Sequence, residues 1–251
     1  MQVKRSSQYV IPNSDVSGFS LIELAIAIFV ITLLLGGLLV PLSTQVEQRK
    51  FSETQKVLDE IKEALMGYAL ANGYLPCPDK TTAAGVGTAN DGQEDVTAGT
   101  GICVTPEGNL PWVTLGVTGY DSWGNRFRYR VDDQFSKRAP APTFTLATTS
   151  ATLGVCTTSA CTSRLTSGSD GPPAIVLSHG KNGYGAINSI TSNANPAPTG
   201  ADELENTNGN ATFVSHSASA AGSVAGEFDD IVVWLSREVL LNRMVAAGRL
   251  P

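Results

Sequence analysis

The sequence predicts an α+β protein in which a long N-terminal helix packs on an antiparallel β-sheet. Three observations carry this reading. Leu21 to Leu42 is an apolar run of about 22 residues, long enough to cross a bilayer, with Glu23 as its only charge. Val57, Leu58, Ile61, Ala64, Leu65 and Tyr68 then recur at spacings of three and four, which draws one apolar stripe along a helix. After residue 73 the apolar segments become short and are separated by Gly, Pro, Asn and Ser, as strands joined by turns would be.

Taken in order, the first helix runs through the apolar run and on from Val46 to Asn72, with Gly67 the one glycine in that second stretch. Arg49 with Glu53, and Lys56 with Glu60, stand four apart and suit an exposed face. Pro41, just after Gly36 and Gly37, predicts a kink or a locally melted turn. Asn72-Gly73 is a left-handed stop, and Pro76 and Pro78 prevent the helix from resuming. Arg126 to Val131 alternates polar and apolar, a strand with one buried face. Phe144 to Ala147 is a weaker strand, and Ala174 to Ser178 and Ile231 to Leu235 are stronger ones. Val239 to Gly248 suits a short final helix. Lys80 to Gly101, Ser136 to Gly171 and Ser189 to Gly226 show no sustained period and read as long polar loops.

Composition narrows the functional classes. The formal charge is −6, and no basic cluster marks a nucleic-acid surface. The four cysteines, Cys77, Cys103, Cys156 and Cys161, all follow the apolar run. An even number there suits two disulfides in an oxidising compartment. Without a C-x-x-C pair, zinc is not expected. Locality favours Cys77 with Cys103 and Cys156 with Cys161, one of the three pairings that four cysteines allow. Lys4 and Arg5 before the run favour a cytoplasmic N-terminus, while Arg49 and Lys50 after it nearly cancel that bias. The cysteines therefore place the larger part outside the cytoplasm. An enzyme is not expected. Ser178 beside His179 lacks the geometry of a triad, and neither Gly-x-Ser-x-Gly nor His-Glu-x-x-His occurs. Gly180-x-x-Gly183-x-Gly185 is followed by a poor helix, so it does not suit a phosphate loop.

One acid inside an apolar span costs about 2.5–3.5 kcal/mol at the centre of a helix, so it calls for a partner or a function. Here Glu23 follows a Gly18-Phe19 junction in Gly18-Phe19-Ser20-Leu21-Ile22-Glu23-Leu24. A secretory signal would be cut after its apolar core. A cut at Gly18 would instead leave the anchor on the mature chain. The segment resembles the class III leader and N-terminus of type IV pilins and of the pseudopilins of type II secretion systems. The resemblance implies cleavage after Gly18 and N-methylation of Phe19. It also implies assembly through Glu23, whose carboxylate meets the amine of Phe19 on a neighbouring subunit.

Further pieces resemble the major pseudopilin: Asn72-Gly73-Tyr74-Leu75-Pro76, Asp121-Ser122-Trp123-Gly124-Asn125, Ser178 to Gly185, and Asp229-Asp230-Ile231 leading to Trp234. The chain departs in its three long insertions, its four cysteines and its extra C-terminal segment. Asp121 to Asn125 also reads simply as a turn feeding a strand. Asp229 and Asp230, with carbonyls from the Gly180–Gly185 turn, suit calcium as hard oxygen ligands. The resemblance to a family with calcium in its last loop adds to that. Asp202, Glu203 and Glu205 are weaker candidates for the same ion.

The resulting organisation is a leader at 1–18, a transmembrane and polymerisation helix at 19–42, an amphipathic extension at 43–73 and an extracytoplasmic α+β domain at 74–251. The resemblance implies a structural filament subunit, first of all a pseudopilin of type II secretion, in the inner membrane with its domain in the periplasm. Its implied partners are other pilin or pseudopilin subunits, a prepilin peptidase and methyltransferase, an inner-membrane assembly platform, and the lipid bilayer. A type IV pilus pilin for adhesion, motility or DNA uptake is the alternative, and a membrane-anchored binding module that never polymerises is a third reading.

Overall fold

A computed structural model of the chain describes residues 18–138, 144–149, 152–168, 170–223 and 226–250, with the backbone alone for 35–42. The leader up to residue 17, with Lys4 and Arg5, lies outside the described residues. The chain divides into two compact units, Met1–Gln48 and Arg49–Pro251.

Helix α1 is Leu21–Asn72. Its backbone stays helical through Gly36, Gly37 and Pro41, so the turn there is not melted. Every described side chain from 18 to 34 is exposed, including Phe19 at 87% and Leu21 at 89%. Among the described residues, no helix is long and apolar enough to cross a membrane. The expected span, Leu21 to Leu42, runs into the stretch 35–42, whose side chains lie outside the description. The helix ends as the sequence predicts: Gly73 has φ 85°, and its N–H donates to the Ala69 carbonyl at 2.7 Å.

In the larger unit the stripe of α1 is the floor of the core. Leu58, Ile61, Leu65, Met66 and Ala69 are buried there. They share one cluster with Tyr129 and Val131 of β2 (Arg128–Val131), Ala174 and Val176 of β4 (Ala174–Ser178), and Ile231 and Leu235 of β6 (Ile231–Leu235). With β1 (Glu107–Asn109) these strands form a four-stranded antiparallel sheet in the order β1-β2-β4-β6. The protein is thus α+β, with an N-terminal helix on an antiparallel sheet. Short helical turns α2 (Trp112–Leu115) and α3 (Asp133–Ser136) flank β1 and β2. Helix α5 (Arg237–Ala246) begins two residues before the expected start, because Ser236 caps it by accepting from Val239 N at 3.4 Å.

Two expected loops contain regular structure. Strand β3 (Gly154–Cys156) and strand β5 (Thr212–Val214) pair in parallel, with helical turn α4 (Ala201–Glu205) between them in sequence. They cover the other face of the sheet. Leu153, Val155 and Phe213 pack with Ile175, Leu177 and Val232 in a second cluster, with Trp234 at its edge. All five residues of β4 are therefore buried, alternate ones against α1 and against this added layer.

One expected strand does not form. Phe144 to Ala147 turns instead, because Thr145 N donates to Thr148 Oγ1 at 2.9 Å and Thr148 N to the Thr145 carbonyl at 3.0 Å. Side-chain bonds of this kind compete with a ladder. Phe144 is still buried, its ring 5.0 Å from that of Phe135.

Candidate functional site

The N-terminal unit presents the first candidate site. Gly18 has no positive φ, and a Cβ built there would meet nothing within 4 Å. The fold gives no reason for glycine at this position. Ser20 and Glu23 form a capping box at the start of α1. Ser20 N and Oγ both donate to Glu23 Oε2 at 2.9 Å, and Glu23 N donates to Ser20 Oγ at 3.3 Å. Apart from Thr32, whose hydroxyl donates to the Ile28 carbonyl, the described side chains from Leu24 to Leu34 are apolar and exposed on every side of the helix, a pattern that needs lipid or other helices as surroundings.

The second site lies in the larger unit, where the end of β4 meets the segment leading into β6. Glu203, Asp229 and Asp230 each bring a carboxylate oxygen within 4.8 Å of the others. Asn182 ties two of them together. Its backbone N–H donates to Asp229 Oδ2 at 2.8 Å, and its Nδ2 donates to Glu203 Oε1 at 2.8 Å. Asn206 Nδ2 donates to Asp230 Oδ2 at 2.8 Å. Among the described residues Asp229 Oδ1 and Asp230 Oδ1 are buried and accept no hydrogen bond, although His179 Nδ1 lies 3.4 Å from Asp230 Oδ1. A buried, unpaired carboxylate oxygen costs free energy unless a cation or proton meets it.

The electrostatics agree with that geometry. Burial pushes the Asp229 carboxyl up to about 7; the Asn182 N–H opposes this, and the charges of Glu203 and Asp230 add to it. Glu203 is also raised by burial, against the hydrogen bond from Asn182. Two of these crowded acids, Asp229 and Glu203, resist ionisation, and a hard divalent cation beside the three carboxylates would relieve that.

The turn after β4 reaches the acids through Asn182, whose backbone and side-chain N–H groups donate to Asp229 and Glu203. Gly180 has φ 57°, and a Cβ there would sit 2.3 Å from the Asp229 carbonyl oxygen and 2.4 Å from Asp229 Oδ1. Glycine is required because Asp229 occupies the space. His179 is fully buried beside the acids, with Nδ1 3.4 Å from Asp230 Oδ1. Arg128 Nε donates to His179 Nε2 at 3.2 Å, which leaves the ring proton on Nδ1, facing Asp230. Ser178 Oγ donates to Asp121 Oδ2 at 2.6 Å.

Of the weaker candidates, only Glu203 joins Asp229 and Asp230. Asp202 accepts from Ser159 N at 2.7 Å and faces His216 Nε2 at 3.2 Å. Glu205 accepts from the Asn208 and Asn210 side chains. Cys77 is bonded to Cys103, and Cys156 to Cys161. The Asp121 turn is structural: its Oδ1 accepts from Trp123 N and Asn125 N, each at 2.9 Å, and Gly124 takes φ 86°.

Sequence reasoning missed His179 as a neighbour of the acids, and the Ser20–Glu23 pairing. The second was visible as Ser-x-x-Glu ahead of an apolar run.

No curated protein and no solved structure matches the chain. One family does, over a short segment: residues 13–39, which contain Gly18, Phe19 and Glu23, match the prokaryotic N-terminal methylation motif.

Proposed function

We propose that the chain is a subunit of a pilin-like filament, a pseudopilin of a type II protein secretion system. It is cut between Gly18 and Phe19 by a prepilin peptidase and methylated on Phe19. The helix from Phe19 to Leu42 anchors it in the inner membrane, and the domain from residue 74 stands in the periplasm. The carrying observation is Gly18: a glycine inside the matched motif, with no neighbour among the described residues and no positive φ to explain it. A residue that the fold does not require is best explained by an enzyme that reads it. The exposed apolar helix supports the same reading, since neighbouring subunits and lipid supply the surroundings it lacks.

In this mechanism the new amine of Phe19 and the carboxylate of Glu23 on an adjacent subunit neutralise each other in an apolar bundle. Such a pair fixes register more than it adds stability. An inner-membrane platform adds subunits from below. Glu203, Asp229 and Asp230 would hold calcium, which would supply the positive charge that offsets their crowding where the β4 turn meets the start of β6.

The layer formed by β3 and β5, with its own disulfide, favours a second reading as a type IV pilus pilin. Deleting the gene separates the two: lost secretion with pili intact supports the first, and lost pili with secretion intact supports the second. A membrane-anchored module that never polymerises is the third outcome, and neither phenotype would change. Intact mass of the protein from its native host tests the shared core of the first two. A methylated chain starting at Phe19 is expected, and a chain starting at Met1 would sink both.

A further inference from the structure

Arg126, just before β2, differs from the arginines beside it. Arg128 donates to Glu107, His179 and the Gly185 carbonyl, and Arg130 to Glu107 and the Gly209 carbonyl. Among the described residues the Arg126 side chain makes one long bond, from Nη2 to the Ser189 carbonyl at 3.4 Å, and its buried Nε, like that of Arg130, has no acceptor. No carboxylate lies within ion-pair distance of it among the described residues. Asp79, the acid that acts on it from further off, already accepts from Asn90 N, Gly92 N and Asn109 Nδ2.

The guanidinium is nevertheless held firmly. Its central carbon sits 4.0 Å from the centre of the Trp112 ring. That ring is itself wedged in place. A Cβ on Gly92 would fall 2.2 Å from it, and one on Gly119 2.5 Å from it. Arg126 lines two adjoining cavities. One is polar and small, about 90 Å³, bounded by Asn109, His179, Arg128 and Glu107, whose carboxylate is already paired with Arg128 and Arg130. The other is about 620 Å³, lined by Trp112, Val117, Tyr120 and Ile190, a size that suits a bound ligand. Tyr120 is 53% exposed and Ile190 90% exposed.

We propose that this cleft binds the C-terminal end of a peptide, with its carboxylate on Arg126 and an apolar last side chain against Trp112, Tyr120 and Ile190. A planar carboxylate matches the guanidinium edge. One unneutralised cation suits a monoanion better than a doubly charged phosphate. An α-carboxylate also stands one carbon from its own side chain, so adjoining polar and apolar subsites are filled together. An internal Asp or Glu brings the charge without an apolar group beside it. The proposal does not depend on the filament reading.

The test is calorimetric titration of the full-length chain in detergent micelles with a short peptide ending in leucine. Saturable binding is expected for the free acid, with the C-terminal amide of the same peptide weakened about tenfold or more, as is usual when a charged hydrogen-bonding partner is lost. Arg126→Gln should lose the preference for acid over amide. Ile190→Ser, at an exposed position that the fold does not need, should weaken both peptides several-fold without lowering the melting temperature. Equal binding of acid and amide, no binding to either, or an unchanged preference in Arg126→Gln would each overturn the assignment. If Arg126→Gln unfolds, the acid-to-amide comparison and Ile190→Ser decide it.

Discussion

Ser20 and Glu23 hold each other at the start of α1, hydroxyl and amide of one against carboxylate and amide of the other. Glu23 therefore has a local role as well as the proposed one between subunits. The two separate by chemistry. Glu23→Gln keeps an acceptor for the cap but removes the charge, whereas Glu23→Leu removes both. Both variants should be cut and inserted normally, and both should fail to form filaments on overexpression. Ser20→Ala should fray the first turn at a cost of about 1 kcal/mol and still assemble. Normal filaments from Glu23→Gln would show that charge pairing does not set the register.

Gly18 makes the opposite prediction. A side chain there meets no neighbour, so Gly18→Leu should melt at the same temperature as the parent chain. Processing should stop, leaving a precursor 18 residues longer by intact mass. A correctly cut Gly18→Leu protein would remove the argument that an enzyme reads this glycine.

The acidic site predicts a dependence on pH that calcium reverses. The folded pKa of Asp229, about 7, is raised above its unfolded value. The folded chain thus holds a proton that the unfolded chain has released, and stability falls as pH climbs from about 4 to about 7. With chelator present, the full-length protein should melt lower at pH 8 than at pH 5. Calcium should raise the melting point most at pH 8, and the stabilisation should be about 2.7 kcal/mol at a hundredfold excess over its dissociation constant. Asp229→Asn should lose the calcium effect and part of the slope. Asp79, raised to about 6 mainly by burial, leaves a residual slope that calcium does not touch. No calcium shift at pH 8 would dismiss the ion.

The two disulfides should differ in weight. Cys77 and Cys103 are 26 residues apart, Cys156 and Cys161 only 5. In the chain-entropy account the longer loop restrains the unfolded state more. Replacing Cys77 and Cys103 by serine should cost about 2–4 kcal/mol, and replacing Cys156 and Cys161 less. Denaturant titration of both variants checks the order, and equal losses would contradict it.

Much of this architecture is legible in the sequence, and the reasons are local. The stripe from Leu58 to Ala69 has a helical period, and β4 and β6 carry apolar runs of four and five residues. Asn72-Gly73 and Asp121 to Asn125 carry their own turn chemistry. Strands β1, β3 and β5 have three residues each, too few to display an alternation. Their identity comes from partners far away in the chain. The same distance hid the choice among Asp202, Glu203 and Glu205, which only the position of Asn182 decides. It also hid the pairing of Trp112 with Arg126.

The layer made by β3 and β5 carries a consequence for how such a domain changes over descent. Ile175, Leu177, Val232 and Trp234 would face water if that layer were lost. A deletion that trimmed the insertions would bare an apolar surface on two central strands at once, an invitation to aggregate. Shortening the chain therefore demands several polar replacements in β4 and β6 beforehand, each of which weakens the intact protein. The layer and the two strands beneath it therefore stand or fall together: no single deletion removes the one without spoiling the other.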